Sequence, residues 1–294
     1  MDTTEQANTT PGNAGVLSPA TKAHLLLKGL TEIPFAAETA RLVCLPDIYK
    51  PDIESKDNAL WKRLVHFEYR YWSVDKALEM LPITNVLELA SGFSFRGLEM
   101  AREKKVHYID IDLPEIIEYK KKLLAQISAG LVKPTGKLET IALNVLDERQ
   151  VSDVIGHFPK GPVVIVNEGL LMYLDQSAKE KLCSIIYKIL KQRGGYWITA
   201  DIYRKTVLER LEESKEDHYR QFTEQQKVEQ HMFDSFAAAE TFFNAAGFTV
   251  ERESDIELSR LSSLKYLLGS SSIPQLLQLN PEDKIQLTWT LRVS

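Results

Sequence analysis

Apolar residues recur every three or four positions from Leu60 through Leu64, Phe67, Tyr71, Val74 and Leu78 to Leu81. This is the stripe of an amphipathic helix over 58–81, and Pro82 marks its end. Beyond it the period changes. Short apolar runs at 85–89, 106–110, 138–143, 162–166 and 196–200 read as strands, and helical segments at 95–104, 114–127, 148–158 and 176–192 fall between them. Pro114 opens one helix, where its missing N–H does no harm, and Gly194-Gly195 closes another. The run 162–166 is β-branched and suited to burial on both faces. Such alternation predicts a mainly parallel sheet with right-handed crossovers and helices on both faces, a Rossmann-like, doubly wound α/β fold. A helix over 236–246 is closed by Gly247. Segments 248–253 and 285–293 are expected to add an antiparallel pair, which makes seven strands.

The two ends and one interior stretch break this rhythm. Residues 1–17 are rich in Thr, Asn, Gly and Ala and read as a disordered arm. Residues 18–294 read as one domain, with a helical portion at 18–82 and a charged helical insertion, a candidate lid, at 203–233. The chain has 294 residues, 44% hydrophobic and 26% charged, enough for a sizeable core. Its net charge of −5 argues against general affinity for nucleic acid or an anionic membrane. The run Lys120, Lys121, Lys122 reads as a solvated helix face. No apolar run approaches the roughly 18 residues that span a bilayer, and the start lacks the pattern of a signal peptide. Cys44 and Cys183 stand in no paired motif, so a reducing, cytoplasmic setting is expected.

Four stretches carry candidate chemistry, each just after a strand. In Glu88-Leu89-Ala90-Ser91-Gly92 small residues let the backbone approach a ligand, and the following helix start offers free N–H groups. A nucleotide or the charged tail of adenosylmethionine would suit it. The G-x-G-x-x-G of nicotinamide enzymes is absent, and the acid Glu88 suits a cationic amino group better than a pyrophosphate. Twenty residues after Gly92, Asp110 and Asp112 alternate at the end of the second strand, on one side of it. Asp112 lies nearer the edge, where a carboxylate can accept both ribose hydroxyls, whereas Asp110 reads as a supporting acid. Asn144 and Val145 follow the third strand, and an amide there can read an adenine edge. Asn167-Glu168-Gly169 and Tyr173 follow the fourth, near the switch point where such sheets bind substrate. Histidines 24, 66, 107, 157, 218 and 231 are scattered without metal-ligand spacing, so no metal is expected.

Glu88 to Gly92, the Asp110-Ile111-Asp112-Leu113-Pro114 run and the Glu168 to Leu174 run together resemble the leucine carboxyl methyltransferase family and its polyketide O-methylating relatives, within the class I S-adenosylmethionine-dependent methyltransferases. The resemblance extends over roughly 61–248. It implies S-adenosyl-L-methionine as cofactor, with Gly92 lining its methionine portion, Asp112 holding the ribose, Asn144 and Val145 flanking adenine, Glu168 near the methyl group and Arg70 meeting the cofactor carboxylate. The chain departs from the family where a glycine-rich turn is reduced to Gly92 alone, and where Asn144 replaces a common Asp.

The expected activity is transfer of a methyl group to a carboxylate or hydroxyl oxygen, of a small molecule ahead of a protein C-terminus. A carboxylate needs no base; a phenol would benefit from one, and Tyr173 is the candidate. Two alternatives stay open, a protein that binds the cofactor without catalysis and a nicotinamide-dependent enzyme on a similar sheet.

Overall fold

The computed structural model describes residues 17–50, 53, 58–204, 228–271 and 284–294. The expected arm over 1–17 lies outside them except for Leu17, as does most of the expected lid, at 205–227.

Three helices lead in: α1 (Pro19–Lys28), α2 (Ala36–Cys44) and α3 (Asn58–Glu79). The sheet then alternates with helices: β1 (Asn85–Leu89), α4 (Arg96–Glu103), β2 (His107–Asp112), α5 (Pro114–Ser128), β3 (Lys137–Ala142), α6 (Glu148–Ile155), β4 (Val163–Asn167), α7 (Gln176–Arg193) and β5 (Gly195–Tyr203). The helix α8 (Phe236–Ala245), β6 (Phe248–Ser254), α9 (Leu264–Ser270) and β7 (Gln286–Val293) complete the described elements. The strand order is β3-β2-β1-β4-β5-β7-β6, with β1 to β5 parallel and β7 antiparallel to both β5 and β6. The expected seven-stranded, doubly wound sheet is therefore present.

Local chemistry explains the boundaries. Asp147 and Asp175 accept hydrogen bonds from the third residue on, capping α6 and α7, and Ser235 caps α8 in the same way. Gly194 and Gly195 both hold positive φ, and a Cβ on Gly195 would sit 1.9 Å from the Val163 carbonyl oxygen. Only glycine fits where α7 turns into β5. The second strand begins and ends later than the apolar run suggests, because parallel pairing with β3 continues through Asp112↔Ala142. The helix α9 was not expected. It is held beneath α3 by Glu68, whose buried carboxylate accepts from the backbone and hydroxyls of Ser262 and Ser263.

Side chains alternate across the sheet. Leu87, Leu89, Ile109, Ile111 and Ile165 face α6, α7 and α8. Val86, Tyr108, Val164, Val166 and Ile198 face α3 and α4. By the same period Glu88, Asp110 and Asp112 lie on the α3/α4 side, carrying their charges toward the helices that answer them. The lysine run departs from expectation here: Lys120 is fully buried on that side, while Lys121 and Lys122 are exposed.

Phe243 of α8 packs edge-on to Trp197 at 5.3 Å and against Phe242 and Trp289. Phe243→Ala is expected to cost about 3–5 kcal/mol in urea unfolding, while the Gly92–Asp112 contact at the carboxyl edge of β2 stays in place. A loss under about 1 kcal/mol, within the range of a volume-conserving swap, would contradict this packing.

Candidate functional site

The carboxyl ends of β1, β2 and β4 meet at the switch point where the strand order reverses, and the candidate residues gather there. The turn after β1 contains two left-handed residues, Ala90 at φ 47° and Gly92 at φ 48°. The Gly92 amide donates to Asp112 Oδ2 at 2.7 Å, and the Leu113 amide donates to Asp112 Oδ1 at 2.7 Å. Asp112 is thereby fixed at the end of β2 with lone pairs to spare. Burial pushes its carboxyl up, against the pull of those two amides. A Cβ on Gly92 would meet no protein atom within 4 Å, so the turn borders open space.

Beneath the turn lies a buried ion network. Arg96, with no exposed surface, donates from Nε to Asp75 Oδ1 at 2.6 Å and from Nη1 to Glu88 Oε1 at 2.9 Å. Its Nη2 reaches Glu168 Oε2 at 2.8 Å and the Tyr71 carbonyl at 3.2 Å. Tyr108 donates to the other oxygen of Glu88 at 2.7 Å. Both oxygens of Glu88 are therefore occupied, and the cation it meets is the protein's own guanidinium. Glu168 also receives Arg70 Nε at 3.2 Å and lies 3.7 Å from Lys28 Nζ. Burial alone would raise the Glu168 carboxyl, but Lys28, Arg70 and Arg96 together hold it far below the usual range. Burial pushes Asp75 up to about 6 despite Arg96.

On the outer side, Arg70 Nη1 donates to Tyr203 Oη at 3.2 Å, and His66 Nε2 lies 2.9 Å from the same oxygen. Burial and the Arg70 charge lower His66 to about 3, so it stays neutral. His24, lowered by burial and by Lys28, packs on Phe67 at 4.5 Å. Two of the scattered histidines thus border the candidate site. Among the described residues no group of three His, Cys, Asp or Glu side chains is disposed to hold a metal ion.

The loop after β4 is shaped by Asp201 of β5. It accepts from the amides of Gly169, Leu170 and Leu171 at 2.5, 2.7 and 3.0 Å and from Asn167 Nδ2 at 2.6 Å. Gly169, at φ 84°, lets the loop pass over the Arg70 guanidinium. Tyr173 ends the short 3-10 turn Leu171–Tyr173 and is 39% exposed. Asn144 is exposed and accepts from the Leu146 amide, and Val145 is buried beside it.

The structure brings Arg70, Glu88 and Glu168 into one network, and Gly92 and Asp112 into one turn. Sequence reasoning missed Lys28, Arg96, Tyr203, His66 and Asp201. Arg96 left a signal, as a cation at a helix start beside a strand ending in Glu88. The others are joined only by the fold.

A seven-stranded sheet of this order with an antiparallel β7 is the class I methyltransferase fold. Residues 58–187 match the leucine carboxyl methyltransferase family. A putative S-adenosyl-L-methionine-dependent methyltransferase of Mycobacterium sp. (strain JLS) is 34% identical over 96 residues, 32% of this chain and 31% of that protein. One from Mycolicibacterium paratuberculosis is 30% identical over 144 residues, 46% of this chain and 45% of that one. The chain thus spans less than half the length of either relative. Among solved structures, an O-methyltransferase family protein from Burkholderia thailandensis is 17% identical, with a TM-score of 0.45 over 83% of this chain and 61% of that one.

Arg96→Met would leave two buried carboxylates, Glu88 and Glu168, and the half-buried Asp75 without their shared cation. An expected loss of about 3–5 kcal/mol, measured by chemical denaturation, checks the network; a loss below about 1 kcal/mol, the level of a surface pair, would contradict it. Glu168 adds a pH signature. Its folded-state pKa is depressed, so its stabilisation is present above the ordinary value of 4.5 and is lost as pH falls below it. Glu168→Gln should therefore lose stability less steeply than wild type below about pH 4.5; parallel curves would contradict the assignment.

Proposed function

We propose that the chain is an S-adenosyl-L-methionine-dependent O-methyltransferase acting on a small molecule. The observation that carries this reading is the Asp112 carboxylate, fixed at the edge of β2 by the Gly92 and Leu113 amides, beside a turn whose Gly92 borders open space. Asp112 accepts the two ribose hydroxyls. Gly92 lines the methionine portion, and Asn144 and Val145 flank adenine. Arg70, joined by Lys28, meets the cofactor carboxylate. Glu168 draws the cofactor's positive charge, and Glu88 contributes by holding Arg96.

When bound, the cofactor supplies an electrophilic methyl group. The protein's part is to orient the acceptor oxygen in line with it and to exclude water, which supplies much of the rate. A carboxylate acceptor arrives ionised. For a hydroxyl acceptor we assign Tyr173 to the acceptor side, within the same loop as Glu168. A net charge of −5 counts against nucleic acid or an anionic membrane as partner, which supports a small-molecule acceptor, and no described helix is long and apolar enough to cross a membrane. Two free thiols, Cys44 and Cys183, support a cytoplasmic setting.

Asp112→Ala is expected to weaken adenosylhomocysteine binding by about 1.5–3 kcal/mol in calorimetry, as for a lost charged hydrogen bond; unchanged affinity would reject the ribose role. Gly92→Val should fold, with about 1–2 kcal/mol lost to the left-handed backbone, and should bind no cofactor. Normal binding by that variant would move the cofactor away from this turn.

A further inference from the structure

Lys120 is the one charged residue of α5 that the sheet swallows whole. Its Nζ lies 2.7 Å from Asp110 Oδ2 and donates to Ser91 Oγ at 3.0 Å, with the Phe95 ring 5.9 Å away. Neither Lys120 nor Asp110 is more than 1% exposed. Burying an ion pair is a poor way to gain stability, since the desolvation of both charges offsets their attraction. Here burial pushes the Asp110 carboxyl up to about 6 even with the ammonium against it, and its Oδ1 is buried with no hydrogen-bond partner. What the pair does accomplish is geometric. It reaches from the middle of β2 to Ser91, the second residue of the turn after β1.

That turn is conformationally strained. Two of its residues, Ala90 and Gly92, are left-handed, and for Ala90 the side chain makes that conformation costly. Its own ties are the Ser91 amide to the Ile111 carbonyl at 3.0 Å and the Ser94 amide to the Ser91 carbonyl at 2.9 Å. The Gly92 amide, next in the chain after Ser91, is one of the two that orient Asp112, the other being that of Leu113. A continuous path therefore runs from Lys120 through Ser91 and Gly92 to the Asp112 carboxylate.

We propose that Lys120 is a positioning residue for the cofactor. Clamped by Asp110, its ammonium holds Ser91 so that Gly92 and Asp112 present the ribose-binding edge ready-made. Lys120 does not touch the ligand in this scheme. It acts on affinity by removing the need to order the turn on binding. The inference rests on the cofactor reading above and deepens it.

The test uses the full chain and four variants, with adenosylhomocysteine and, separately, adenosine as calorimetric probes and thermal unfolding as the control. Lys120→Met keeps the stem and removes the ammonium; it should weaken both probes by about tenfold, the scale of one charged hydrogen bond. Ser91→Ala should weaken both probes in the same direction. The double variant Asp110→Asn/Lys120→Met removes the unpaired buried charge and should recover most of the lost Tm without recovering affinity. Lys120→Arg, which keeps a cation, should recover part of the affinity. Affinity that returns together with Tm in the double variant would make Lys120 merely structural and overturn the proposal, as would wild-type affinity in a folded Lys120→Met. Failure of wild type itself to bind adenosylhomocysteine would instead overturn the cofactor reading, before any variant matters.

Discussion

The Arg96 guanidinium is the constraint on which the site depends. It has no contact with solvent, yet it joins four pieces of the fold. Asp75 and the Tyr71 carbonyl belong to α3, Glu88 to β1, Glu168 to the end of β4, and Arg96 itself to the first turn of α4. Its planar fork carries five N–H donors in a fixed geometry, against three on a lysine ammonium, and so reaches acceptors on three sides at once. Glu88 and Glu168 are buried with it, at 2% and 6% side-chain exposure, and neither can relax toward water without leaving a charge behind. The parallel ladder of β1 with β4 already fixes the spacing of those two strands; Arg96 ties α3, α4 and the loop after β4 to their carboxyl ends.

Around that fixed point the site divides into two halves with different physics. The half over β2 is built from backbone amides and one carboxylate, and it suits neutral hydroxyls. The half over β4 is built from Lys28, Arg70 and Glu168, and it suits a ligand with charges of both signs. Glu168 takes Lys28 and Arg70 for itself when nothing else competes. An incoming carboxylate can share those cations, and an incoming cation can share Glu168, so a zwitterionic tail is matched at little net electrostatic cost. His66, kept neutral by burial and the Arg70 charge, and Tyr203 complete the outer wall beside Arg70.

Much of this was legible in the chain. Strict alternation of apolar runs with 3.6-period segments defined the sheet and its helices, and Pro114 and Gly194 marked boundaries that the structure keeps. Asp112 stood out because it ended a strand one ribose-binding interval after a small-residue turn. Two kinds of information were not legible. Lys120 sits in a run of three lysines, which reads as solvent-facing; its place on the stripe with Ile117 and Leu123 was the contrary signal. Its partner Asp110 lies on another element, and only the parallel register of β1 with β2 brings Ser91 to the same ammonium. Likewise the cluster of Lys28, Arg70, Arg96 and Glu168 draws on α1, α3, α4 and the β4 loop, positions up to 140 residues apart in sequence, where 168 − 28 = 140. Local pattern has no access to such pairs.

A crystal structure of the full chain with adenosylhomocysteine would test the central claim most directly. The account predicts the ribose hydroxyls within about 3 Å of Asp112, ordinary hydrogen-bond distance, the ligand carboxylate against Arg70 and Lys28, and the Arg96 network unmoved. A ligand seated away from the β1 and β2 edge, or one that binds only after Arg96 has exchanged its partners, would contradict it.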